Sequence, residues 1–235
     1  MPATPVSERG YANPGLLAET DWLAEHLNDP ALRLIDTRSK ELYEAGHIPS
    51  AVNLAAAGSI PRAENGDMGT PAAFSRLAEA LGVSADSTVV VYDAPGAQMG
   101  MMAWAFMYFG HSRVQVLDGG FAKWTAEGRP TSTTPGGYPA GRFEAQAEEE
   151  LFCSLDHATS AHGSPNTIFW DVRRREEYEG TEPVNNSRPG HIPGAVHLEW
   201  TELLDPETRT FKSGDELRSL LNSRGITPES EINCY

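Results

Sequence analysis

The apolar positions of this chain fall into two patterns that alternate along it. Residues 32–38 (LRLIDTR) and 87–93 (STVVVYD) are short, nearly continuous apolar runs rich in β-branched residues and bounded by polar ones, as expected of strands. The second run reads as a strand buried on both faces. Residues 51–54 (AVNL) and 114–120 (VQVLDGG) add two more short strands. Between them apolar residues recur at helical spacing. Residues 16–27 (LLAETDWLAEHL) predict a helix capped by Thr20 or Asp21, with Trp22, Leu23 and Leu27 on its apolar face. Residues 40–47 (KELYEAGH) predict a helical turn stopped by Gly46. Residues 70–82 (TPAAFSRLAEALG) carry a threonine cap, a proline at the first helical position and a closing glycine. Residues 96–111 (GAQMGMMAWAFMYFGH) predict a largely buried helix, and residues 121–130 (FAKWTAEGRP) close the unit. Strands alternating with helices imply an α/β layer structure with a mostly parallel central sheet flanked by helices.

The same order then begins again. Residues 131–151 (TSTTPGGYPAGRFEAQAEEEL) are rich in Pro, Gly and Thr and then acidic, which predicts a linker. Beyond it IFWDVR parallels LRLIDTR and sets Asp171 and Arg173 opposite Asp36 and Arg38. REEYEG, an insertion TEPVNNSRP, and GHIPGAVH follow; the last repeats GHIPSAVN, which begins at Gly46. SGDELRSLLNSRG predicts the returning helix, and ITPESEINCY matches VSADSTVVVY. Gly82 with Gly225, and Tyr92 with Tyr235, share one offset of 143 residues. The expected organisation is an N-terminal extension 1–16, a first domain 17–130, a linker 131–151, and residues 152–235 as the N-terminal part of a second domain.

Composition narrows the function classes. No apolar run approaches the roughly 20 residues that cross a bilayer. The N-terminus lacks a basic region followed by an apolar stretch and a cleavage site, so the default compartment is the cytoplasm. The net charge of -15 argues against nucleic acid or an anionic membrane as partner, since both need a basic patch. Two cysteines, Cys153 and Cys234, form neither a disulfide framework nor a cluster with metal spacing, so neither a metal nor a cofactor is expected. Met99, Met101, Met102 and Met107 crowd one helix, where pliable core packing is the expected role.

The paired D-x-R and GHIP-x-AV segments, the LDGGFAKW phrase after the long helix and the acidic linker resemble the two-domain rhodanese family, the thiosulfate and 3-mercaptopyruvate sulfurtransferases. That resemblance implies two tandem rhodanese-like α/β domains, the first inactive. It also implies a second whose central strand runs into a six-residue loop headed by a nucleophilic cysteine. Asp93 stands in the cysteine position of the first domain, so that domain is expected to be silent. Continued by one step, the register sets the second domain's cysteine at position 236, after Tyr235, with a loop, a helix and a last strand to follow. The second domain is therefore expected to be incomplete at its C-terminus: its remainder is supplied as a separate chain, or the nucleophile is not an ordinary residue, or the chain is a true truncation, inert as an enzyme. Cys234 pairs with Val91 inside the strand; it would serve as nucleophile only if the second strand were two residues shorter than the first.

A thiolate where a parallel strand enters a helix meets several convergent N–H groups and the helix's positive end. Such a group can attack the outer sulfur of thiosulfate, release sulfite and pass the persulfide sulfur to cyanide or a thiol. Asp171 and Arg173 are expected as an ion-paired anchor and His191 as a structural hydrogen-bonding residue, because both repeats have them. Trp200, after GAVHLE, has no first-domain counterpart, Ala57 or a neighbour taking its place; core packing is its expected role and a wall of the sulfur pocket the alternative. Arg173, Arg174 and Arg175 form the densest basic cluster. In some relatives an arginine precedes the tyrosine of this segment; here Glu177 does, which disfavours a carboxylate substrate such as mercaptopyruvate. The rival class is a silent rhodanese-like binding or regulatory module, and a third is a phosphatase of related fold with a longer loop.

Overall fold

The computed structural model of the chain describes residues 4–55, 59–94, 97–182, 184 and 188–235. Two compact units are present. One holds the chain up to Phe152 together with Glu207–Thr210, and the other holds Cys153–Pro206 and Phe211–Tyr235.

The first unit runs β1 (Leu17–Ala18), α1 (Thr20–His26), β2 (Leu32–Asp36), α2 (Lys40–Ala45), β3 (Val52–Asn53), α3 (Pro71–Ala80), β4 (Thr88–Tyr92), α4 (Gln98–Tyr108), β5 (Val114–Leu117) and α5 (Gly120–Ala126). Its strands form one parallel sheet in the order β1-β5-β4-β2-β3. β4 lies in the middle, and its continuous apolar run is explained by burial on both faces. Val89 and Val91 join Phe74, Met102, Phe106 and Phe109 on the side of α3 and α4. Val90 and Tyr92 join Leu23, Leu34, Ile48, Leu117 and Trp124 on the other. Met99 and Met102 are buried in the first of these clusters and Met101 and Met107 pack against it, so the methionines fill core space. α3 begins as its sequence predicts, the Thr70 hydroxyl accepting from Ala73 N–H at 3.3 Å.

The start of the unit departs from the sequence pattern. Leu17 and Ala18 form an edge strand beside β5, and α1 begins at Thr20 with Glu19 as its cap and no side-chain cap bond. The Thr20 hydroxyl bonds Glu127 Oε1 at 3.0 Å, and so is not available as the expected cap. The residues before β1 are tied in as well: Arg9 pairs with the buried Asp118 at 2.7 Å, and Gln115 Nε2 donates to Gly15 O at 3.0 Å.

Residues 131–151, with a linker's composition, lie along the first unit over their whole length. Ser132 and His47 exchange backbone hydrogen bonds of 2.8 and 2.9 Å. The Tyr138 hydroxyl accepts from Leu34 N–H at 3.1 Å, serving a central-strand donor that the two-residue β3 does not reach. Phe143 and Ala145 are buried in the α3/α4 cluster, and Gln146 N–H donates to Phe109 O at 3.1 Å. The glycines of this strap are explained by close approach. A Cβ on Gly136 would sit 2.2 Å from Ala51 O, and one on Gly141 2.0 Å from Val83 O.

The second unit runs α6 (Leu155–Ala161), β6 (Thr167–Asp171), α7 (Arg175–Glu179), β7 (Val196–His197), α8 (Gly214–Ser223) and β8 (Glu231–Cys234). Its sheet, also parallel, has the order β7-β6-β8. This is the β3-β2-β4 part of the first unit. α8 opens on a reciprocal cap, Glu216 N–H to Ser213 Oγ and Ser213 N–H to the Glu216 carboxylate. β8 pairs with β6 on one side; among the described residues no strand lies on the other. Ile232 and Cys234 are accordingly exposed, where their counterparts Val89 and Val91 are fully buried. The insertion 181–189 lies partly outside the described residues.

Since Phe143 sits in the aromatic cluster with its ring edge-on to Phe74, Phe143→Ala should destabilise the first unit by about 3–5 kcal/mol. Urea denaturation checks this. A change under about 0.5 kcal/mol, the usual surface value, would show that the strap contributes nothing to the core.

Candidate functional site

Each unit ends its inner strands on the same fork. In the first, Asp36 is buried at the C-terminal end of β2 and accepts from Arg38 N–H at 3.0 Å, Nε at 2.9 Å and Nη2 at 2.5 Å. Arg38 Nη2 also donates to Gly46 O at 2.8 Å, the first residue of the GHIP segment. In the second, Asp171 accepts from Arg173 N–H at 3.0 Å, Nε at 3.0 Å and Nη2 at 2.5 Å, and Arg173 Nη2 donates to Gly190 O at 2.9 Å. A bidentate guanidinium compensates a carboxylate removed from water, and the spare donor ties it to the loop. Burial pushes the Asp171 carboxyl upward, but the bonds from Arg173 outweigh it and hold it below its ordinary value.

The tyrosines of the repeat complete the fork. Tyr92 OH accepts from Ile48 N–H at 3.1 Å and Tyr235 OH from Ile192 N–H at 3.0 Å. The Tyr235 phenol also bonds Asp171, and the Arg173 guanidinium lies 5.2 Å from the centre of its ring. Burial and the adjacent Asp171 push the Tyr235 phenol up to about 12, so it stays a neutral donor. Main-chain bonds match too. Thr37 N–H donates to Tyr92 O at 2.9 Å and Val172 N–H to Tyr235 O at 3.1 Å. Tyr235 thus leaves β8 as Tyr92 leaves β4.

His47 and His191 sit alike on their loops and differently in their surroundings. Each stacks on the tyrosine of its α2 or α7 helix, Tyr43 at 3.8 Å and Tyr178 at 3.7 Å, and each sets Nδ1 against that tyrosine's carbonyl. His47 is fully buried, with Nε2 on Thr134 O at 2.9 Å, whereas His191 is exposed. Tyr178 and His197 were not singled out by spacing. Tyr178 stacks on both His191 and His197, and His197 Nε2 meets Arg173 O at 2.9 Å. The match of KELYEAG in the first repeat to REEYEG in the second was the available signal for Tyr178.

Trp200 opens a short 3-10 turn, and its N–H donates to Val172 O at 3.0 Å, which fixes it at the same end of the sheet as Tyr235. Ala57, its expected counterpart, lies outside the described residues. Of the basic cluster, Arg173 turns inward into the fork. Arg174 and Arg175 form exposed pairs with Glu177, Glu182 and Glu179. Cys234 lies in β8 opposite Trp170, with its thiol pushed above the ordinary value by desolvation at the sulfur even though the residue as a whole is exposed. Cys153 is likewise shifted upward, by burial and the charge of Glu231. Neither has the depressed pKa of an activated thiol. Among the described residues no cluster of three or more His, Cys, Asp and Glu is arranged to hold a metal, and no helix is long and apolar enough to cross a membrane.

The position after Tyr92 shows what the slot at the end of the central strand contains. Asp93 is buried between β4 and α4 and accepts from the backbone N–H groups of Ala94, Gln98 and Met99. Its carbonyl takes Phe121 N–H at 2.8 Å. Gly120 passes so close that a Cβ would stand 2.5 Å from that oxygen.

Comparison with known proteins agrees with this architecture. The sequence profile of the rhodanese-like domain matches residues 19–127. The sulfur carrier protein TtuD of Thermus thermophilus is 36% identical over 240 residues, covering 96% of this chain and 84% of the relative. A thiosulfate sulfurtransferase of Corynebacterium glutamicum is 30% identical, covering 95% and 78%. Among solved structures, SseA of Escherichia coli, a 3-mercaptopyruvate sulfurtransferase, superposes with a TM-score of 0.82 at 27% identity, over 93% of this chain and 87% of that one.

The fork in the second unit sets a testable energy. Asp171→Asn leaves the half-buried Arg173 against a neutral partner and should cost about 2–4 kcal/mol at pH 7. Because the folded carboxyl lies below its unfolded value, the stability it contributes is full above about pH 4 and lost as pH falls through the folded pKa. Denaturation curves of variant and wild type should therefore converge in acid; a gap that persists at pH 2 would assign the loss to packing.

Proposed function

Because the chain belongs to the two-domain rhodanese family of sulfurtransferases, we propose that it moves a sulfane sulfur from thiosulfate to a thiol or cyanide through a cysteine at position 236, the residue after Tyr235. The observation that carries this reading is the equivalence of Tyr235 and Tyr92. Each is held by the fork, by the GHIP N–H and by the same main-chain bond from the neighbouring strand. The next residue therefore starts where Asp93 starts, at the carboxyl end of a parallel strand, where a following helix would turn its N–H groups inward.

Two further features support a strand, loop and helix in that place. β8 has an open edge where β4 is covered by β5. An apolar cavity of about 270 Å³ is lined by Leu155, Ala158, Thr159, His162, Phe169 and Ile192. Phe169 and Ile192 are the counterparts of Leu34 and Ile48, which in the first unit pack with Trp124 of α5. Asp171, Arg173, His191 and Tyr235 then act as the frame that fixes the slot, and Trp200 as a wall at the same end of the sheet.

In the reaction the thiolate attacks the outer sulfur of thiosulfate. The new S–S bond forms as the bond to the sulfite sulfur breaks, and sulfite leaves with the electron pair. The resulting persulfide keeps one negative charge, which inward N–H groups accept. A thiolate or cyanide then attacks the outer sulfur and restores the enzyme thiolate. Glu177 stands before Tyr178 where a carboxylate-binding arginine would be, and it pairs with Arg174, which disfavours an α-keto acid as the donor.

The assay is thiocyanate formation from thiosulfate and cyanide by the protein extended past Tyr235. A cysteine at position 236 should gain the mass of one sulfur on thiosulfate treatment. Serine at that position should abolish turnover, while Cys153→Ala and Cys234→Ala leave it within about twofold, as expected of residues outside the chemistry. A different residue at position 236, or turnover that survives its loss, defeats the proposal.

A further inference from the structure

Three carboxylates are buried at the C-terminal ends of the first unit's strands: Asp36 after β2, Asp93 after β4 and Asp118 after β5. The charges are not balanced one to one. Asp36 is matched by Arg38 and Asp118 by Arg9, both of them buried arginines. Among the described residues no cation is paired with Asp93. Its carboxyl accepts the N–H groups of Ala94, Gln98 and Met99, yet Oδ2 is buried with no hydrogen-bond donor. A second acceptor at the start of α4, Gln98 Oε1, is also buried and without a donor among the described residues. The charged or titratable groups on the elements around the slot are Asp36 and Arg38 at the end of β2, Tyr92 on β4, and Asp118 with Arg9 at the end of β5. α4 and α5 present Gln98, Met99, Gly120 and Phe121, which carry no charge.

An ionised carboxylate with a bare oxygen in such a place is poorly solvated, and the nearby Asp36 repels it. A proton removes the charge and turns the bare oxygen into a donor. We infer that the slot after β4 is a proton-binding site, in which Asp93 is held as a neutral carboxylic acid with the proton on Oδ2. The slot that heads a nucleophile's loop in a sulfur-transferring unit is here filled by a weak acid that takes its proton from solvent. Nothing else is consumed or released. The inference concerns the first unit alone and stands whatever residue follows Tyr235.

The energetic balance has the matching direction: burial outweighs the amide bonds, Asp36 adds to it, and the Asp93 carboxyl is pushed up to about 6. A carboxyl whose folded value lies above its unfolded one disfavours folding once ionised. The contribution of Asp93 to the first unit's stability should therefore fall as pH rises from about 4 to 6 and level off above that, opposite in sign to the contribution of Asp171 in the second unit.

The test is a carboxyl-carbon NMR titration of the full chain labelled at aspartate, with the Asp93 signal identified by its loss in Asp93→Asn. A midpoint near 6 is expected, and one at or below 4.5 would overturn the inference. The amide signals of Ala94, Gln98 and Met99 in the wild type should move with the same midpoint, which keeps the test open if the variant folds poorly. In parallel, the ratio of the wild type's folding equilibrium constant to that of Asp93→Asn should fall by up to about 100-fold between pH 4 and 7. Equal slopes for the two proteins also reject it.

Discussion

The structure depends on a carboxylate that is taken out of water and must be compensated. Asp36 and Asp171 each lie at the end of an inner strand with no solvent exposure, and a buried charge without a partner is among the costliest features a fold can hold. The arginine two residues later supplies the compensation. Because its remaining donor needs an acceptor, it reaches the carbonyl of Gly46 or Gly190 and brings in the GHIP loop. The loop in turn offers the N–H of Ile48 or Ile192 to the tyrosine on the next strand. Three segments far apart in sequence are thus locked by one charge pair, and the residue after the tyrosine inherits a fixed starting point.

The two copies keep this lock and differ around it. In the first unit the strap covers His47, takes its Nε2 on Thr134 O and inserts Phe143 into the core. In the second unit His191 makes the same stack and the same Nδ1 contact in an exposed setting. The preserved contacts are those that position the loop, so a framing role accounts for both histidines. Arg38 and Arg173 show the same division: each grips its aspartate alike, while Arg38 is further pressed against Phe121 at 3.7 Å.

Much of this was legible in the residues because the constraints are local. The strands of 32–36 and 88–92 and the helices of 71–80 and 98–108 follow from apolar periodicity, caps and bounding glycines. The repeat offset set Tyr235 opposite Tyr92, and the hydrogen bonds agree. The failures have physical causes. Leu17 and Ala18 make a strand too short to show alternation, and their apolar run merges with that of α1. The strap looked like a linker because glycine and proline mark flexible segments and also segments pressed against a neighbouring backbone; spacing cannot separate the two. Tyr178 and His197 matter through ring stacking, which leaves no period in the sequence.

What a slot of this kind does is decided by the sum of opposed contributions, not by its amide groups alone. In the first unit three N–H groups reach Asp93, yet burial and the charge of Asp36 together outweigh them. Asp171 occupies the place of Asp36 in the second unit, so a thiolate in the next slot would meet the same repulsion, tempered by the tight pairing of Asp171 with Arg173. To favour an anion there, the loop must offer more inward donors than reach Asp93, or the mouth must remain open enough for water to solvate the charge. A persulfide meets the requirement more easily than a carboxylate, because its charge resides on a large, polarisable terminal sulfur that can lie farther out along the loop. On the proposed reading, the same frame would hold a neutral acid in one unit and an anionic sulfur in the other, the difference being set by how many donors converge and how much water is excluded.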